Sequence, residues 1–176
     1  MKPGRGRRGP AEDELQRVYR EHVGATFAFF AYSVSQAAAE DLTGATFERV
    51  VRSWSSFDAR RGSERTWILA IARNQLTDHF RRQAVRTTVS LDEHPQLLNV
   101  LEAADDPLDR RLSIEELKSW LSRLAPREQE VLALRYGADL QASEIADLCG
   151  LSTANVHQIV SRSLRRLREY SGEPAG

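Results

Sequence analysis

The chain has 176 residues, of which 41% are hydrophobic and 28% are charged, a composition typical of a soluble globular protein. Its 25 Lys and Arg residues balance 25 Asp and Glu residues, so the formal net charge is +0. This balance argues against a protein that coats nucleic acid through uniform positive charge. The single cysteine excludes an intrachain disulfide and a multi-cysteine metal site. The length suits one or two small domains.

The termini and hydropathy argue against a membrane protein. No segment approaches the roughly 20 consecutive apolar residues of a membrane-spanning helix. Residues 1–10, MKPGRGRRGP, are basic, but no apolar segment follows them. We therefore expect a disordered basic tail rather than a secretory signal, no membrane insertion, and a cytoplasmic protein.

The first half of the chain is predicted to be a helical domain over residues 11–83. Apolar residues such as Val18, Ala25 and Phe29 recur at helical spacing. The predicted helices span 11–34, 37–55 and 64–83. Residues 1–83 carry 14 Lys and Arg against 10 Asp and Glu, so this half is basic.

The second half is predicted to be a separate helical domain over residues 107–172. Residues 84–106 lose the helical period and are acidic, which predicts a flexible linker, because structureless connections this long are uncommon inside one domain. The predicted helices span 108–123, a segment from Pro126 that Gly137 ends, 142–148 and 153–170. No strand pattern occurs, so the fold class is all-α, with two small domains joined by a flexible linker.

The C-terminal domain has the features of a helix-turn-helix. Gly150 lies between two helical patterns, where a tight turn favours a residue that tolerates positive φ. Ser152 is placed to cap the last helix, and Cys149 falls within the core of the motif. For Cys149 we consider a buried small side chain and, alternatively, a redox sensor.

One face of the last helix is predicted to contact DNA. At 100° per residue, Val156 and Val160 fall on the apolar side, and small and polar residues fall opposite. Arginines follow toward the C-terminus and can reach phosphates. An ordinary solvated helix face remains the alternative, and His157 is either a DNA contact or a surface histidine. The candidate residues are Thr153, Ala154, Asn155, His157, Gln158, Ser161, Arg162 and Arg165.

A second basic segment lies in the N-terminal half. Residues 60–82 hold six arginines against two acidic residues, with Trp67, His79 and Phe80 interleaved. Basic and aromatic residues together suit single-stranded DNA. Core packing is the alternative for Trp67, and a solvated helix face is the alternative for the arginines.

Two stretches resemble a known family, the extracytoplasmic-function (ECF) sigma factors. Residues 40–83 resemble region 2 through Asp41-Leu42, Trp54, Phe57-Asp58 and the run from Ile71 to Arg82. Residues 121–156 look like region 4. The family usually has Gln-Glu where Gly44-Ala45 stand, and a Ser or Thr cap where Gln141 stands.

The resemblance implies roles for particular residues. Region 2 would bind the polymerase clamp through Asp41, Leu42, Phe47 and Arg49. Region 4 would read the minus-thirty-five element through the last helix, and Asn74 matches a position near the flipped minus-ten base. The residues expected near minus-ten DNA are Arg60, Arg61, Arg65, Trp67, Arg73, Asn74, Gln75, Asp78, Arg81 and Arg82.

The expected function is therefore that of an RNA polymerase sigma factor. The expected partners are the polymerase core, promoter DNA and an anti-sigma factor. We expect the two domains of the free chain to sample many interdomain distances, and the anti-sigma factor to fix one of them. A LuxR-type regulator is the alternative, because its DNA-binding domain resembles the C-terminal stretch. We expect no enzyme activity, cofactor or metal. The spacing of Glu40, Asp41 and Asp58 would not bring their carboxylates to one metal ion, and no glycine-rich phosphate loop or nucleophile motif occurs.

Overall fold

The computed structural model describes residues 10–87 and 114–172 and confirms the all-α fold, because it has no strand within these ranges. A 3₁₀ turn, Trp54–Ser56, follows the second helix, and a π turn, Ala133–Gly137, follows the fifth. The α-helices are α1 (Pro10–Ala31), α2 (Gln36–Ser53), α3 (Glu64–Thr87), α4 (Ile114–Ser122), α5 (Pro126–Leu132), α6 (Ala142–Cys149) and α7 (Thr153–Ser171).

The first three helices pack together as the N-terminal domain. Val18, Phe47, Val50 and Ile68 form a buried cluster between them. Each such side chain contributes about 1.5–3 kcal/mol through removal from water. Helix α2 begins where the Ser35 Oγ accepts a hydrogen bond from the backbone N–H of Ala38 at 3.4 Å.

The C-terminal domain contains the expected helix-turn-helix, formed by α6 and α7. Gly150 ends α6 with a positive φ of 65°, and the Ser152 Oγ accepts from the Asn155 backbone N–H at 3.2 Å. Both predicted turn features are confirmed. At the start of α6 the Glu144 carboxylate accepts from the Gln141 backbone N–H at 2.8 Å, so the acidic side chain satisfies this N–H although no hydroxyl precedes the helix.

Gly137 ends the segment that begins at Pro126, as predicted, but for a different reason. Its φ lies outside the left-handed region, and the only described non-glycine residue with positive φ is Asp139, at 52°. A Cβ at Gly137 would lie 3.0 Å from the carbonyl oxygen of Ala28 in α1. The glycine therefore permits a close approach of two backbones.

The two halves are packed against each other in this structure. Phe29 and Phe30 of α1 belong to the same buried cluster as Val131 and Leu134 of the C-terminal domain. Helix α3 also continues to Thr87, past the expected domain end at residue 83. The remainder of the expected linker lies outside the described residues, as does the tail over residues 1–9. None of the described helices is long and apolar enough to cross a membrane.

Candidate nucleic-acid interface

Helix α7 presents its predicted DNA-contacting residues on an exposed face. Val156 and Ser163 are buried on the opposite side, which fixes the rotation of the helix against the domain core. The exposed residues are Thr153, Ala154, Asn155, His157, Gln158, Ser161, Arg162 and Arg165. The structure thus brings the whole predicted set together on one surface.

The arginines of α7 have two different environments. Arg166 donates to both carboxylate oxygens of Glu128 on α5, at 3.1 and 2.9 Å. Arg162, Arg165 and Arg168 are exposed, with no ion-pair partner in the described part of the chain. Arg166 therefore holds α7 on α5, whereas the other three are available for phosphates. The sequence pattern did not distinguish Arg166 from the other arginines, because its partner Glu128 lies 38 residues away in the chain.

Cys149 has the environment of a structural side chain. It is buried at the end of α6, and burial raises the pKa of its thiol. Its backbone carbonyl accepts a hydrogen bond from Arg127 Nη2 at 2.6 Å. A neutral buried thiol matches the small-hydrophobe interpretation better than a redox sensor, which needs an accessible thiolate.

The predicted minus-ten residues divide between α3 and the segment before it. Asn74, Asp78, Arg81 and Arg82 are exposed on α3, and Gln75 is half-buried. Arg60 and Arg61 are exposed before the helix. Arg60 is also paired with Asp58 at 3.0 Å, and this hydrogen bond lowers the pKa of the Asp58 carboxyl.

Trp67 belongs to an aromatic cluster at the base of this segment. Its ring centroid lies 5.9 Å from that of Trp54 and 5.4 Å from that of Phe57. The side chain is only partly buried and lines a groove of about 560 Å³. Trp67 therefore packs against the other rings of the cluster and also keeps part of its own ring accessible to solvent.

His79 does not add positive charge to this surface at neutral pH. Burial lowers the pKa of its imidazole from 6.5, and nearby Arg82 acts in the same direction. Phe80 beside it is exposed. The basic character of α3 therefore comes from its arginines.

Arg73 points toward the C-terminal domain rather than toward solvent. Its Nε lies 2.5 Å from Glu130 Oε1 on α5, and its Nη1 donates to the carbonyl of Leu148 at 3.3 Å. Glu130 also accepts from Arg127 at 2.6 Å. The Arg73 guanidinium is thus already paired in this arrangement, whereas the neighbouring Asn74 side chain is exposed.

The predicted polymerase-binding residues are only partly on the surface. Asp41 and Arg49 are exposed on α2, but Leu42 and Phe47 are each only 6% exposed. Two residues that sequence reasoning missed are exposed nearby: Tyr19 at 49% and Val51 at 55%. The Tyr19 ring packs on Phe47 with centroids 4.8 Å apart. The sequence contained a signal for Val51, because this residue lies one helical turn after Phe47 and therefore on the same side of α2.

One group of side chains has metal-binding geometry. Ligand atoms of Glu21, His22 and Glu64 lie within 4.8 Å of one another. Arg17 already pairs with both carboxylates, at 2.6 Å and 2.7 Å, and this pairing lowers the pKa of Glu64. The Arg17 guanidinium supplies the positive charge that a metal ion would otherwise supply. These side chains therefore form an ion-pair network that links α1 to α3. Glu40, Asp41 and Asp58 are not part of it.

Comparison with known families matches both halves of the chain. The family described as Sigma-70 region 2 matches residues 18–86. The family described as Sigma-70, region 4 matches residues 120–169. The two matches contain nearly all of α3 and α7, which carry the candidate interface.

Individual proteins give the same result. The ECF RNA polymerase sigma factor BldN of Streptomyces coelicolor is 30% identical over 156 residues, covering 88% of this chain and 59% of that protein. The ECF RNA polymerase sigma factor SigC of Mycobacterium tuberculosis is 30% identical over 137 residues, covering 77% and 71% of the respective chains. The sigma factor RpoE of Bartonella quintana, solved with the anti-sigma factor NepR, has a similar fold, with a TM-score of 0.70, 22% identity, and coverage of 91% of this chain and 95% of that one.

Proposed function

Because the chain belongs to the ECF sigma factors of RNA polymerase, we propose that it binds the polymerase core and directs it to promoters through α3 and α7. The observation that carries the proposal is the exposed polar face of α7. Every residue predicted there from helical geometry is exposed, while Val156 is fully buried behind it. A helix presented in this way can enter the major groove.

The minus-thirty-five element is assigned to α7. Its exposed N-terminal residues, including Asn155 and Gln158, would read base edges. Arg162 and Arg165 lie farther along the same face and are placed to neutralise phosphates. The side chains at the start of α7 are short and polar, so the helix can approach the base edges in the major groove closely.

The minus-ten element is assigned to the surface around Asn74. Exposed Arg81 and Arg82 supply positive charge on α3, and exposed Arg61 supplies it on the preceding segment. Trp67 and Phe57 provide aromatic surface beside Arg61. Charge with aromatic rings favours unpaired bases over duplex DNA. Asn74 would hold one such base, as the family resemblance implies.

The polymerase core is assigned to the outer side of α1 and α2. Asp41 and Arg49 offer charged contacts, and Tyr19 and Val51 offer exposed apolar surface. Large exposed apolar side chains beside charged ones are typical of a protein interface. Leu42 and Phe47 support this surface from beneath.

Three further aspects follow from the same role. The chain would act in the cytoplasm, where polymerase and chromosome meet. We propose no enzyme activity, because the polymerase itself would catalyse the formation of bonds in the RNA. We also propose an anti-sigma partner, since the structural neighbour from Bartonella quintana was solved with a bound anti-sigma factor. Such a partner would cover the faces of α3 and α7.

Run-off transcription tests the proposal. Core polymerase from Streptomyces coelicolor, a promoter library and the full chain would be combined, and transcript 5′ ends would be sequenced. We expect defined start sites that need both core and chain. DNA binding by the chain alone, with no dependence on core, would instead favour the LuxR-type alternative. The control is the chain with Asn155 and Gln158 both changed to Ala.

A further inference from the structure

We propose that Ser63 is a phosphorylation site for an ATP-dependent serine kinase that recognises arginines before its target, and that a phosphate there switches off minus-ten recognition. The second part rests on the proposed function. Three observations carry the proposal: the exposure of Ser63, the arginines around it, and the position of its segment beside the surface assigned to minus-ten DNA.

Ser63 lies at the end of an exposed, irregular segment that joins the 3₁₀ turn to α3. All five residues from Ala59 to Ser63 are exposed, and none of them belongs to a helix. The segment is held by few contacts, among them the hydrogen bond from the Arg61 backbone N–H to the Asp58 carbonyl oxygen at 2.9 Å. A kinase draws its target residue into its active site as part of a short extended segment. An exposed connection between helices meets this requirement, whereas a residue within a packed helix does not.

Two arginines precede Ser63 at positions that kinases with acidic substrate grooves recognise. The segment reads Arg60-Arg61-Gly62-Ser63, so guanidinium groups lie three and two residues before the hydroxyl group. Charge patterns of this kind decide which substrates a kinase accepts. Arg60 pairs with Asp58 at 3.0 Å, but the Arg60 side chain is 90% exposed. Exposed ion pairs stabilise little, so carboxylates of a kinase can replace Asp58 as the partner of Arg60.

The reaction at Ser63 is a phosphoryl transfer. The Ser63 Oγ forms a bond to the γ-phosphorus of ATP, and the bond from that phosphorus to the β,γ-bridging oxygen breaks. ADP leaves, and the hydroxyl proton passes to a base of the kinase. In the unmodified chain the Ser63 Oγ accepts from the Thr66 backbone N–H at 3.1 Å. The phosphate oxygens can accept from the same N–H, so the modification is compatible with the first turn of α3.

The surroundings of Ser63 determine where the phosphate would turn. Ser63 and Arg61 line the same groove as Trp67, and Glu144 and Asp147 of α6 line the other wall. A phosphoserine carries a charge of about −1.5 to −2 at neutral pH and forms strong hydrogen bonds with guanidinium groups. The phosphate would therefore turn toward Arg61 and away from the two carboxylates.

This phosphate would compete with minus-ten DNA for the same side chains. Arg60, Arg61 and Arg65 are expected near that DNA, and each lies within three residues of Ser63. The attached phosphate would neutralise some of these arginines and repel the phosphates of the DNA strand. Binding of the minus-ten strand should therefore become weaker and less dependent on salt. Helix α7 carries a separate surface, so recognition of the minus-thirty-five duplex should stay unchanged.

Labelling of the full-length folded chain tests the site. The probe is the catalytic subunit of cyclic-AMP-dependent protein kinase, which selects arginines at these two positions, with Mg²⁺ and ATP. Peptide mass spectrometry locates the phosphate, because Arg110-Arg111-Leu112-Ser113 repeats the spacing outside the described residues. We expect phosphate on Ser63, and labelling there slower by about tenfold in Arg61→Ala. The control is Ser56, which is exposed without arginines at those positions and should stay unmodified.

Two results would overturn the site. The first is a folded chain that carries no phosphate on Ser63 after kinase treatment. The second is the absence of the Ser63 phosphopeptide from the chain isolated from its own cells under every growth and stress condition sampled.

Genetically encoded phosphoserine tests the effect on DNA. Holoenzymes with Ser63→phosphoserine and with the control Ser55→phosphoserine would be compared, because Ser55 is exposed but does not line the groove. The DNA is a fork junction with a single-stranded minus-ten element, taken from a promoter that run-off transcription identifies. We expect about tenfold weaker binding for the Ser63 variant only. The slope of log affinity against log salt should fall by about 1 to 1.5, which corresponds to two guanidinium groups lost to the strand.

Further measurements keep the two proposals distinguishable. Ser63→Ala should transcribe as wild type and become insensitive to kinase treatment, and circular dichroism should show that every variant is folded. Unchanged fork-junction affinity in the Ser63 phosphoserine variant, or an equal loss in the Ser55 control, would overturn the switch. An equal loss of minus-thirty-five duplex binding would overturn it as well. Absence of transcription by unmodified wild type with core polymerase would instead remove the proposed function and leave the labelling of Ser63 standing.

Discussion

Arg166 on α7 and Glu128 on α5 form the ion pair that seats the recognition helix, with Nη1 2.9 Å from Oε2. The Glu128 side chain is only 10% exposed and also accepts the Ala125 backbone N–H at 2.9 Å. One carboxylate therefore caps α5 and anchors α7. Arg165, its neighbour in sequence, is exposed and has no such partner within the described residues.

The first prediction follows from this contrast. Arg166→Ala leaves the Glu128 carboxylate without its charged partner and should lower the free energy of unfolding by about 1–2 kcal/mol, since the arginine is partly solvated. Arg165→Ala should change it by less than about 0.5 kcal/mol. Urea unfolding followed by circular dichroism gives both values. Equal losses for the two variants would contradict the assigned roles.

The second prediction separates phosphate contact from base reading on α7. Arg165→Ala should weaken binding to all promoters and reduce the slope of log affinity against log salt by about 1. Gln158→Ala should instead alter preference at one base pair, by about 1–3 kcal/mol if the contact is bidentate. Promoter-library selection with holoenzyme at several salt concentrations measures both. Unchanged base preferences and salt slopes in both variants would disprove the recognition-helix assignment.

The third prediction concerns promoter melting. Asn74→Ala should reduce open-complex formation while recognition of the minus-thirty-five duplex by α7 stays intact, because the two surfaces lie on different domains. Permanganate reactivity of unpaired thymines reports melting, and a mobility shift reports duplex binding. Thr77→Ala, exposed on the same helix, is the control. Normal thymine reactivity in the Asn74 variant would remove this residue from the proposed role.

The fourth prediction concerns pH. Arg17 lowers the pKa of Glu64 below its ordinary value of 4.5, so the native state favours the carboxylate. This stabilisation is present above about pH 4.5 and is lost as pH falls through the lower native pKa. Wild type should therefore exceed Glu64→Gln in melting temperature at neutral pH, with the difference shrinking in acid. A difference that is constant from pH 7 to pH 3 would contradict the ion-pair assignment.

Local features of the fold could be predicted from the sequence because they depend on neighbouring residues. Gly150 and Ser152 signal the turn and the cap, and the spacing of Val156 and Val160 sets the exposed face of α7. Each of these rests on residues within a few positions of one another. The same reasoning placed the three N-terminal helices.

Long-range relationships could not be predicted in this way. The role of Gly137 depends on Ala28, far earlier in the chain, so the sequence suggested a helix end where the structure shows a close approach. The pairing of Arg73 with Glu130, 57 residues later, likewise had no signal in the sequence. Leu42 and Phe47 match the family pattern, and only the packing of α1 against α2 shows that they are buried.

The last prediction distinguishes surface from core on the proposed polymerase-binding side. Val51→Asp places a charge on an exposed apolar position, so it should weaken core binding by about tenfold, or about 1.4 kcal/mol. It should leave the free energy of unfolding within about 0.5 kcal/mol of wild type. Phe47→Ala should instead destabilise the domain by about 3–5 kcal/mol, because it empties a buried aromatic site. Binding to core polymerase and urea unfolding would be measured for both, with Arg52→Ala as an exposed control on the same helix. Wild-type core affinity in the Val51 variant would exclude this face, whereas a folded Phe47 variant of unchanged stability would contradict the packing of α1 on α2.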